Sequence, residues 1–340
     1  MIAVFKTALS VILSALCFLT SPIFGNFAAD TTYKKENCGL KFGTISDAHI
    51  NGVSIRETTL NLALWDFANA DAKYDALVFV GDQANSGSKE EYEAIKKVIG
   101  NYGRENIAKN IIWATGNHDT WTENEQGEDD LALAQKYFTE YRKEFSGVDS
   151  DKMYYSTQIN GYPFIILGSE EDHTNAFFSE TQLQWFEGEM EKASKTGKPI
   201  FVISHWPLNE THGLPENWEF MGKYKDFDYD KGGIGGEASN RVLEAMKKYD
   251  NVFYITGHIH AGFSNENDKV FSKYLSVYDY EGIHLVNCPC LASLSFRGRM
   301  ANGTGFVFEA YDDEVIIRGR SYTAGTWYSI YEYSIPLAKN

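Results

Sequence analysis

The stretch NIIWATGNHD, residues 110 to 119, joins an apolar run to a group of polar residues. Residues 110 to 117 predict a buried strand, because a short apolar run bounded by turn residues is typical of parallel sheets. The Gly-Asn-His-Asp group at its end supplies an amide, an imidazole and a carboxylate. This pattern decides the fold, because buried strands followed by ligand-type side chains recur along the chain.

Four more predicted strands end in polar groups of the same kind. These groups are Asp47-Ala48-His49, Gly81-Asp82, His205 and Gly257-His258-Ile259-His260. Five of the eight histidines belong to the five groups, so histidine is concentrated at strand ends. Each group alone is a weak signal, because Asp and Gly are also common in turns and helix caps. Their occurrence together, each at a strand end, indicates one shared site.

The order of predicted elements indicates an α/β fold. Strands and helices alternate over residues 40 to 146, which predicts parallel pairing through right-handed crossovers. Asn160-Gly161 lies between two apolar runs and predicts a β-hairpin, whereas residues 283 to 335 predict only strands. We expect one α/β domain whose later half contributes a second, more antiparallel sheet. Because the carboxyl ends of parallel strands share one edge, the five polar groups should converge there.

The residue types in the five groups suit a pair of metal ions. Carboxylates, imidazoles and an asparagine carbonyl are ligands for Fe, Mn and Zn. Two such ions about 3.5–4 Å apart can clamp an in-line displacement at phosphorus and lower the pKa of a shared water. The sequence therefore predicts two divalent or trivalent transition-metal ions as cofactors, with the identity open among Fe, Mn and Zn.

The ordered set DAH…GD…GNHD…H…GHIH, residues 47 to 260, resembles the calcineurin-like metallophosphoesterase superfamily. GDQANSG, residues 81 to 87, is most similar to the cyclic-nucleotide-phosphodiesterase branch. The resemblance implies a two-sheet β-sandwich flanked by helices, the four-layer α/β fold of that superfamily. It assigns the first metal to Asp47, His49, Asp82 and His260. It assigns the second metal to Asp82, Asn117, His205 and His258, with Asp82 bridging the two.

The resemblance also implies roles for His118 and Asp119. His118 would contact the phosphate and protonate or orient the leaving oxygen, and Asp119 would hold the His118 ring. Asn85 departs from one relative, because purple acid phosphatases carry Tyr three residues after the bridging Asp. A coloured, tyrosinate-bound ferric site is therefore not expected.

The composition limits the partners. The 340 residues carry a formal net charge of −16, which repels a phosphate backbone, so no nucleic-acid duplex is expected. A small phosphate ester held by a metal is compatible with this charge, because the bound cation dominates its local field. No protein partner is implied by the sequence.

The N-terminus predicts a secretory signal peptide. Lys6 precedes the apolar run of residues 8 to 20, and the small residues Gly25, Ala28 and Ala29 follow. We expect a signal peptide at 1–29 and a metallophosphoesterase domain at 30–340. A secreted or extracytoplasmic protein, periplasmic or at the cell surface, is then expected, with no stable membrane span after cleavage. The alternative is an uncleaved membrane anchor.

Several features outside the five groups leave alternatives open. After cleavage three cysteines remain, and either Cys38 pairs with Cys288 or Cys290, or all are free thiols. The irregular stretch of residues 209 to 236 carries His212 and five aromatic residues, and it is either a functional loop or a surface excursion, of which the aromatics favour the first. His212 could line the substrate pocket, although a solvated loop histidine explains it better. The acidic run at 123 to 130 could be a calcium-binding or gating loop, although a solvated loop leading into a helix explains it better.

The function that follows is an exported, dinuclear-metal-dependent phosphoesterase that attacks phosphorus with a metal-bridging hydroxide. Phosphodiesters are favoured over phosphomonoesters, which remain the alternative on the same site. A third form of the hypothesis is hydrolysis of lipid head groups or cell-envelope phosphodiesters. A different class of function, a non-catalytic scaffold of the same fold, is also compatible.

Overall fold

The computed structural model describes residues 37–171, 176–208, 211, 234, 236–268, 274–292 and 302–338. The predicted signal peptide, His212 and most of the irregular stretch of residues 209 to 236 lie outside the described residues. The strands are β1 Leu40–Ile45, β2 Ala76–Phe79, β3 Asn110–Trp113, β4 Tyr155–Ile159, β5 Tyr162–Ile166, β6 Ile200–Ile203, β7 Val252–Thr256, β8 Val277–Tyr280, β9 Ile283–Asn287, β10 Thr304–Ala310, β11 Glu314–Ser321 and β12 Thr326–Pro336. The helices are α1 Ser54–Ala68, α2 Lys89–Gly100, α3 Arg104–Ile107, α4 Leu131–Ser146, α5 Glu180–Ser194 and α6 Gly236–Met246.

The strands form two six-stranded sheets. The first has the order β12-β11-β10-β1-β2-β3, and the second has the order β4-β5-β6-β7-β9-β8. Strands β1, β2 and β3 pair in parallel, as the alternation of strands and helices predicts. The predicted α/β fold with two sheets is confirmed.

The composition of the second sheet differs from the sequence expectation. Strands β10, β11 and β12 are antiparallel, but they join the first sheet, where β10 pairs with β1. The second sheet is parallel through β5, β6, β7 and β9, with antiparallel strands only at its edges. The expectation of a more antiparallel second sheet was wrong. The sequence indicates that consecutive antiparallel strands pair with each other. It does not indicate which earlier strand, here β1, the first of them pairs with.

Apolar packing arranges the molecule in four layers. Phenylalanines from both sheets meet in the centre, where the rings of Phe42 and Phe308 stack at 4.5 Å and Phe42 meets Phe164 edge-on at 5.2 Å. Helices α1, α2 and α4 cover the outer face of the first sheet, and α5 and α6 cover that of the second. Burial of both faces explains why the central strands are almost continuously apolar.

Local signals in the sequence account for several turns. Asn160 and Gly161 both have positive φ, 52° and 81°, and join β4 to β5 as the predicted two-residue hairpin. Asp130 caps α4, because its side chain accepts a hydrogen bond from the amide of Leu133 at 2.9 Å. The end of the acidic run therefore serves as a helix cap, in line with the simpler of its two interpretations.

The three cysteines that the structure describes form no disulfide. Cys38 is exposed, whereas Cys288 and Cys290 are buried, so the structure favours free thiols over a bridge. In the part of the chain that the structure describes, every helix is too short or too polar to span a membrane.

Candidate metal centre

The five polar groups lie where the carboxyl ends of both sheets meet. Backbone hydrogen bonds tie the loops together: the amide of Asp47 donates to Gly81 O at 3.1 Å, and that of His49 donates to Asp82 O at 2.9 Å. Within the second sheet, the amide of Gly257 donates to His205 O at 3.0 Å, and across the two sheets His205 Nδ1 donates to Val80 O at 2.9 Å. The site is therefore shared between two sheets, whereas the sequence suggested the edge of one.

The four predicted ligands of the first metal form a compact cluster. One ligand atom from each of Asp47, His49, Asp82 and His260 lies within 4.8 Å of the others. His49 Nε2 lies 2.9 Å from His260 Nε2, and His260 Nε2 lies 3.3 Å from Asp47 Oδ1. This set could hold one metal ion.

The remaining predicted ligands lie on the other side of Asp82. His205 Nε2 is 3.1 Å from Asp82 Oδ2, and His258 Nδ1 is 3.0 Å from Asn117 Oδ1. The rings of His205 and His258 are 5.2 Å apart. Asp82 Oδ2 also lies 3.7 Å from His49 Nε2, so this oxygen stands between the two groups. The structure thus brings together all seven predicted ligands, while their division between two ions remains a prediction.

The donor atoms themselves fit a cation. Asp47 Oδ1, Asp82 Oδ2 and His205 Nε2 are fully buried and make no hydrogen bond within the described residues. Because Nδ1 of His205 donates to Val80 O, a neutral ring directs the Nε2 lone pair at the Asp82 oxygen. Two buried acceptors facing each other are unfavourable unless a positive charge lies between them. A bound metal ion supplies that charge, and in the metal-free protein a proton on His205 can take its place.

The pKa shifts describe the same interaction. Burial raises the pKa of Asp82, but the neighbouring histidines, His205 first, pull it well below its usual value. Burial lowers the pKa of His205, but the Asp82 carboxylate outweighs this and raises it to about 9. Burial also holds the pKa of His49 well below 6.5, which keeps that ring neutral and able to coordinate.

The backbone is strained where the ligands project. Of the nine non-glycine residues with positive φ in the described chain, five are predicted ligands: Asp47, His49, Asp82, His258 and His260, with φ between 45° and 69°. Such conformations are unfavourable for residues with a side chain and cluster at functional sites. Since they coincide with ligand positions here, the chain holds the donor atoms in place before any ion binds.

Two motif glycines are explained by close approach. A Cβ on Gly257 would meet Ser46 Oγ and lie 2.8 Å from Asp47 Oδ2. A Cβ on Gly116 would lie 2.5 Å from the Asp82 amide nitrogen. The glycines of GHIH and GNHD therefore leave room for the carboxylates of neighbouring loops.

His118 and Asp119 have other partners than expected. His118 Nδ1 contacts Asn85 O at 2.6 Å, and the ring lies 4.6 Å from that of His49. The buried Asp119 carboxylate instead accepts hydrogen bonds from the amides of Asp82, Ala84 and Gly116, at 2.8, 3.0 and 2.9 Å. The expected Asp119–His118 contact was wrong, because the 3₁₀ turn His118–Thr120 directs the two side chains to different places.

Sequence reasoning missed Arg56. Arg56 Nη1 donates to His49 O at 2.6 Å and to Asn85 Oδ1 at 2.8 Å, so it joins two loops of the site. Its position, at the start of α1, carried no motif that could have marked it. The partner of His118 is a backbone carbonyl, which no residue type reveals.

Known proteins share this fold. The family model for calcineurin-like phosphoesterases matches residues 40–262. No curated protein matches the sequence. A solved dimetal phosphatase from Danio rerio is similar at 13% identity and a TM-score of 0.59, covering 89% of this chain and 100% of that one.

Two other solved structures show the same likeness of fold. A purple acid phosphatase from yellow lupin seeds has 14% identity and a TM-score of 0.55, covering 87% of this chain and 53% of its own. GAP50, described as the anchor in the inner membrane complex of Plasmodium, has 14% identity and a TM-score of 0.51, with 88% and 90% covered. From the family match over the region that carries the ligand set, the chain belongs to the calcineurin-like phosphoesterase family.

Proposed function

We propose that this protein is an exported phosphodiesterase that uses two metal ions. The observation that carries the proposal is the position of Asp82 Oδ2, a buried atom without a hydrogen bond in the described chain, 3.7 Å from His49 Nε2 and 3.1 Å from His205 Nε2. A carboxylate between two groups of ligands is suited to bridge two ions. When bound, such ions supply Lewis acidity and a hydroxide at neutral pH.

The chain's own residues would orient the substrate and move a proton. His118 lies beside His49, and its Nδ1 must carry a hydrogen because its partner is a carbonyl oxygen. Nε2 is therefore the atom that can exchange a proton with the leaving oxygen. The amide of His118 also donates to Asp82 Oδ1 at 2.8 Å, which fixes this residue relative to the bridging carboxylate.

Charge and motif support a diester as the substrate. A net charge of −16 repels a dianionic monoester more than a monoanionic diester. GDQANSG, at residues 81 to 87, resembles the cyclic-nucleotide-phosphodiesterase branch and supports the same choice. Export is supported by the signal-like residues 1–29 and by a ligand set that contains no thiolate, which suits an oxidising compartment.

The competing function is a scaffold without catalysis. GAP50 shares the fold and is described as an anchor, so the fold is compatible with such a role. Against it, every predicted ligand position carries a competent residue, and buried atoms such as Asp47 Oδ1 are left for a cation.

The deciding experiment compares bis(4-nitrophenyl) phosphate with 4-nitrophenyl phosphate after loading with Mn, Fe or Zn. A diesterase should give the higher kcat/KM on the first ester with at least one metal. Higher kcat/KM on the monoester would overturn the diester assignment alone. No hydrolysis of either ester, in protein shown to hold two metals, would support the scaffold instead.

A further inference from the structure

Asn85 is held from three directions. Its amide donates to Ile50 O at 3.0 Å and to Glu91 Oε2 at 3.1 Å, and its side-chain oxygen accepts from Arg56 Nη1 at 2.8 Å. Its own carbonyl oxygen contacts His118 Nδ1 at 2.6 Å. The orientation of the His118 ring therefore depends on where the Asn85 peptide is held.

Arg56 is the contact that connects Asn85 to the metal ligands. The same Nη1 atom donates to His49 O at 2.6 Å, so one guanidinium bonds both the loop of a predicted ligand and the partner of His118. A rigid, planar guanidinium can fix two acceptors relative to each other, which a flexible ammonium does less well.

The charge of Arg56 indicates that its position beside the site serves a purpose. Within the described residues Arg56 has no carboxylate partner, although acidic residues outnumber basic ones by 47 to 31. Its guanidinium lies beside the ligands, because Nη1 is 2.6 Å from the carbonyl oxygen of His49. A cation beside a site that binds cations is unfavourable, so a compensating function is expected.

We propose that Arg56 is a positioning residue. It holds Asn85, and through Asn85 the His118 ring, at a fixed position relative to the loop of His49. This inference rests on the proposed role of His118 in the phosphoesterase reaction. Without Arg56, Asn85 keeps its amide contacts, but its side chain and peptide lose their link to the His49 loop. A displaced ring transfers a proton less well to the leaving oxygen, and the effect grows with the basicity of that oxygen.

The test is a double-mutant cycle with Arg56→Ala and His118→Asn. Arg56→Ala should keep two metals bound. On a dialkyl phosphodiester, whose leaving group is poor, its kcat should fall by about 10- to 100-fold. Its loss on bis(4-nitrophenyl) phosphate, an activated ester, should be much smaller. In the His118→Asn background, Arg56→Ala should change kcat by less than about 2-fold, because the interaction is already absent.

Two further variants separate positioning from general effects. Arg104→Ala removes an exposed arginine that donates to Ser146 O, far along the chain, and should leave both substrates unaffected. Asn85→Ala removes the side-chain acceptor of Arg56 but keeps the backbone carbonyl, so it should reproduce the Arg56→Ala pattern. Losses that are additive in the cycle, or equal on both esters, would overturn the proposal.

A spectroscopic measurement tests the inference without relying on turnover. In zinc-loaded protein with ¹⁵N-labelled histidine, the Nδ1–H of His118 should give a hydrogen-bonded, downfield proton signal, assigned by its absence in His118→Asn. Arg56→Ala should shift or broaden that signal. An unchanged signal contradicts the inference even if the wild type is active. An inactive wild type with the expected signal change contradicts the proposed function alone.

Discussion

The carboxylate of Asp119 accepts a hydrogen bond from the backbone amide of Asp82 at 2.8 Å, whereas the ring of His118 bonds to the carbonyl oxygen of Asn85. Two more amides, of Ala84 and Gly116, donate to the same buried carboxylate. Asp119 therefore fixes the loop that presents the Asp82 carboxylate, the predicted bridge between two ions, whereas a carbonyl oxygen orients His118. The final two residues of GNHD serve different parts of the site.

Replacing Asp119 should therefore weaken metal binding and stability together. In Asp119→Ala, three buried amides lose their shared acceptor, which should lower the free energy of unfolding by about 3 kcal/mol. The loop of Asp82 should also lose its fixed conformation, and metal affinity should fall. Chemical denaturation and metal titration measure the two effects. Normal metal affinity with slow turnover would instead indicate that Asp119 acts in proton transfer, as the sequence suggested.

Replacing His118 should have the opposite pattern. His118→Asn keeps the residue polar and leaves all seven predicted metal ligands in place, so two metals should remain bound. Turnover should fall by about 10²- to 10⁴-fold, the usual contribution of a general acid. The loss should be largest for esters with poor leaving groups. A loss independent of the leaving group, measured across a series of aryl and alkyl diesters, would rule out proton donation by His118.

The glycine of GHIH offers a steric test. In Gly257→Ala the new methyl group would press on Ser46 and on the Asp47 carboxylate, so metal content should fall. Gly188→Ala is the matched control, because a Cβ there meets nothing within 4 Å and the site lies in helix α5. The control should be neutral or slightly stabilising. Equal metal content in the two variants would contradict this expectation, because it would mean that the Asp47 loop can move aside for the methyl group without losing metal.

The pH dependence of stability tests the link between His205 and Asp82. Burial lowers the pKa of His205, but Asp82 raises it to about 9 in the metal-free protein, above the ordinary value of 6.5. The folded state therefore binds this proton more tightly than the unfolded chain does. The stabilisation is complete below about pH 6.5 and disappears as the pH rises through 9, which amounts to about 3 kcal/mol at most.

Denaturation of metal-free protein between pH 6 and 9.5, about the window set by that pKa, should show stability falling with pH. His205→Asn should flatten the slope, and zinc should do the same because the ion replaces the proton. Stability that rises over this window in the wild type would show that His205 is not held protonated by Asp82.

The convergence of the predicted ligand side chains could be foreseen from the sequence, because each follows a buried strand and carries its chemistry in its residue type. Asp47, His49 and Asp82 could be placed at one edge from the parallel pairing of β1 with β2 alone. The two-sheet character of the site was harder to predict, because which sheet the strand before His205 joins depends on long-range pairing. The role of the Asn85 carbonyl was not predictable, since every residue has one and only the folded chain shows where it points.

Arg56 shows a second limit of sequence reasoning. An arginine in the first turn of a helix usually covers solvent-facing surface, and residue 56 follows no motif. Its contacts with His49 and Asn85 arise from the packing of α1 against two loops that lie seven and twenty-nine residues away. Asp119 is the converse case, a motif residue whose neighbour in sequence is not its partner in space.

The number of transition-metal ions bound per chain, measured by elemental analysis at saturation alongside diester hydrolysis, tests the dinuclear site most directly. Two ions per chain are expected in active wild-type protein. Asp82→Asn, which removes the carboxylate that lies between the two groups of ligands, should lose both ions and turnover together. Active wild-type protein with fewer than one ion per chain, or Asp82→Asn with full metal content and full turnover, would contradict the two-metal mechanism.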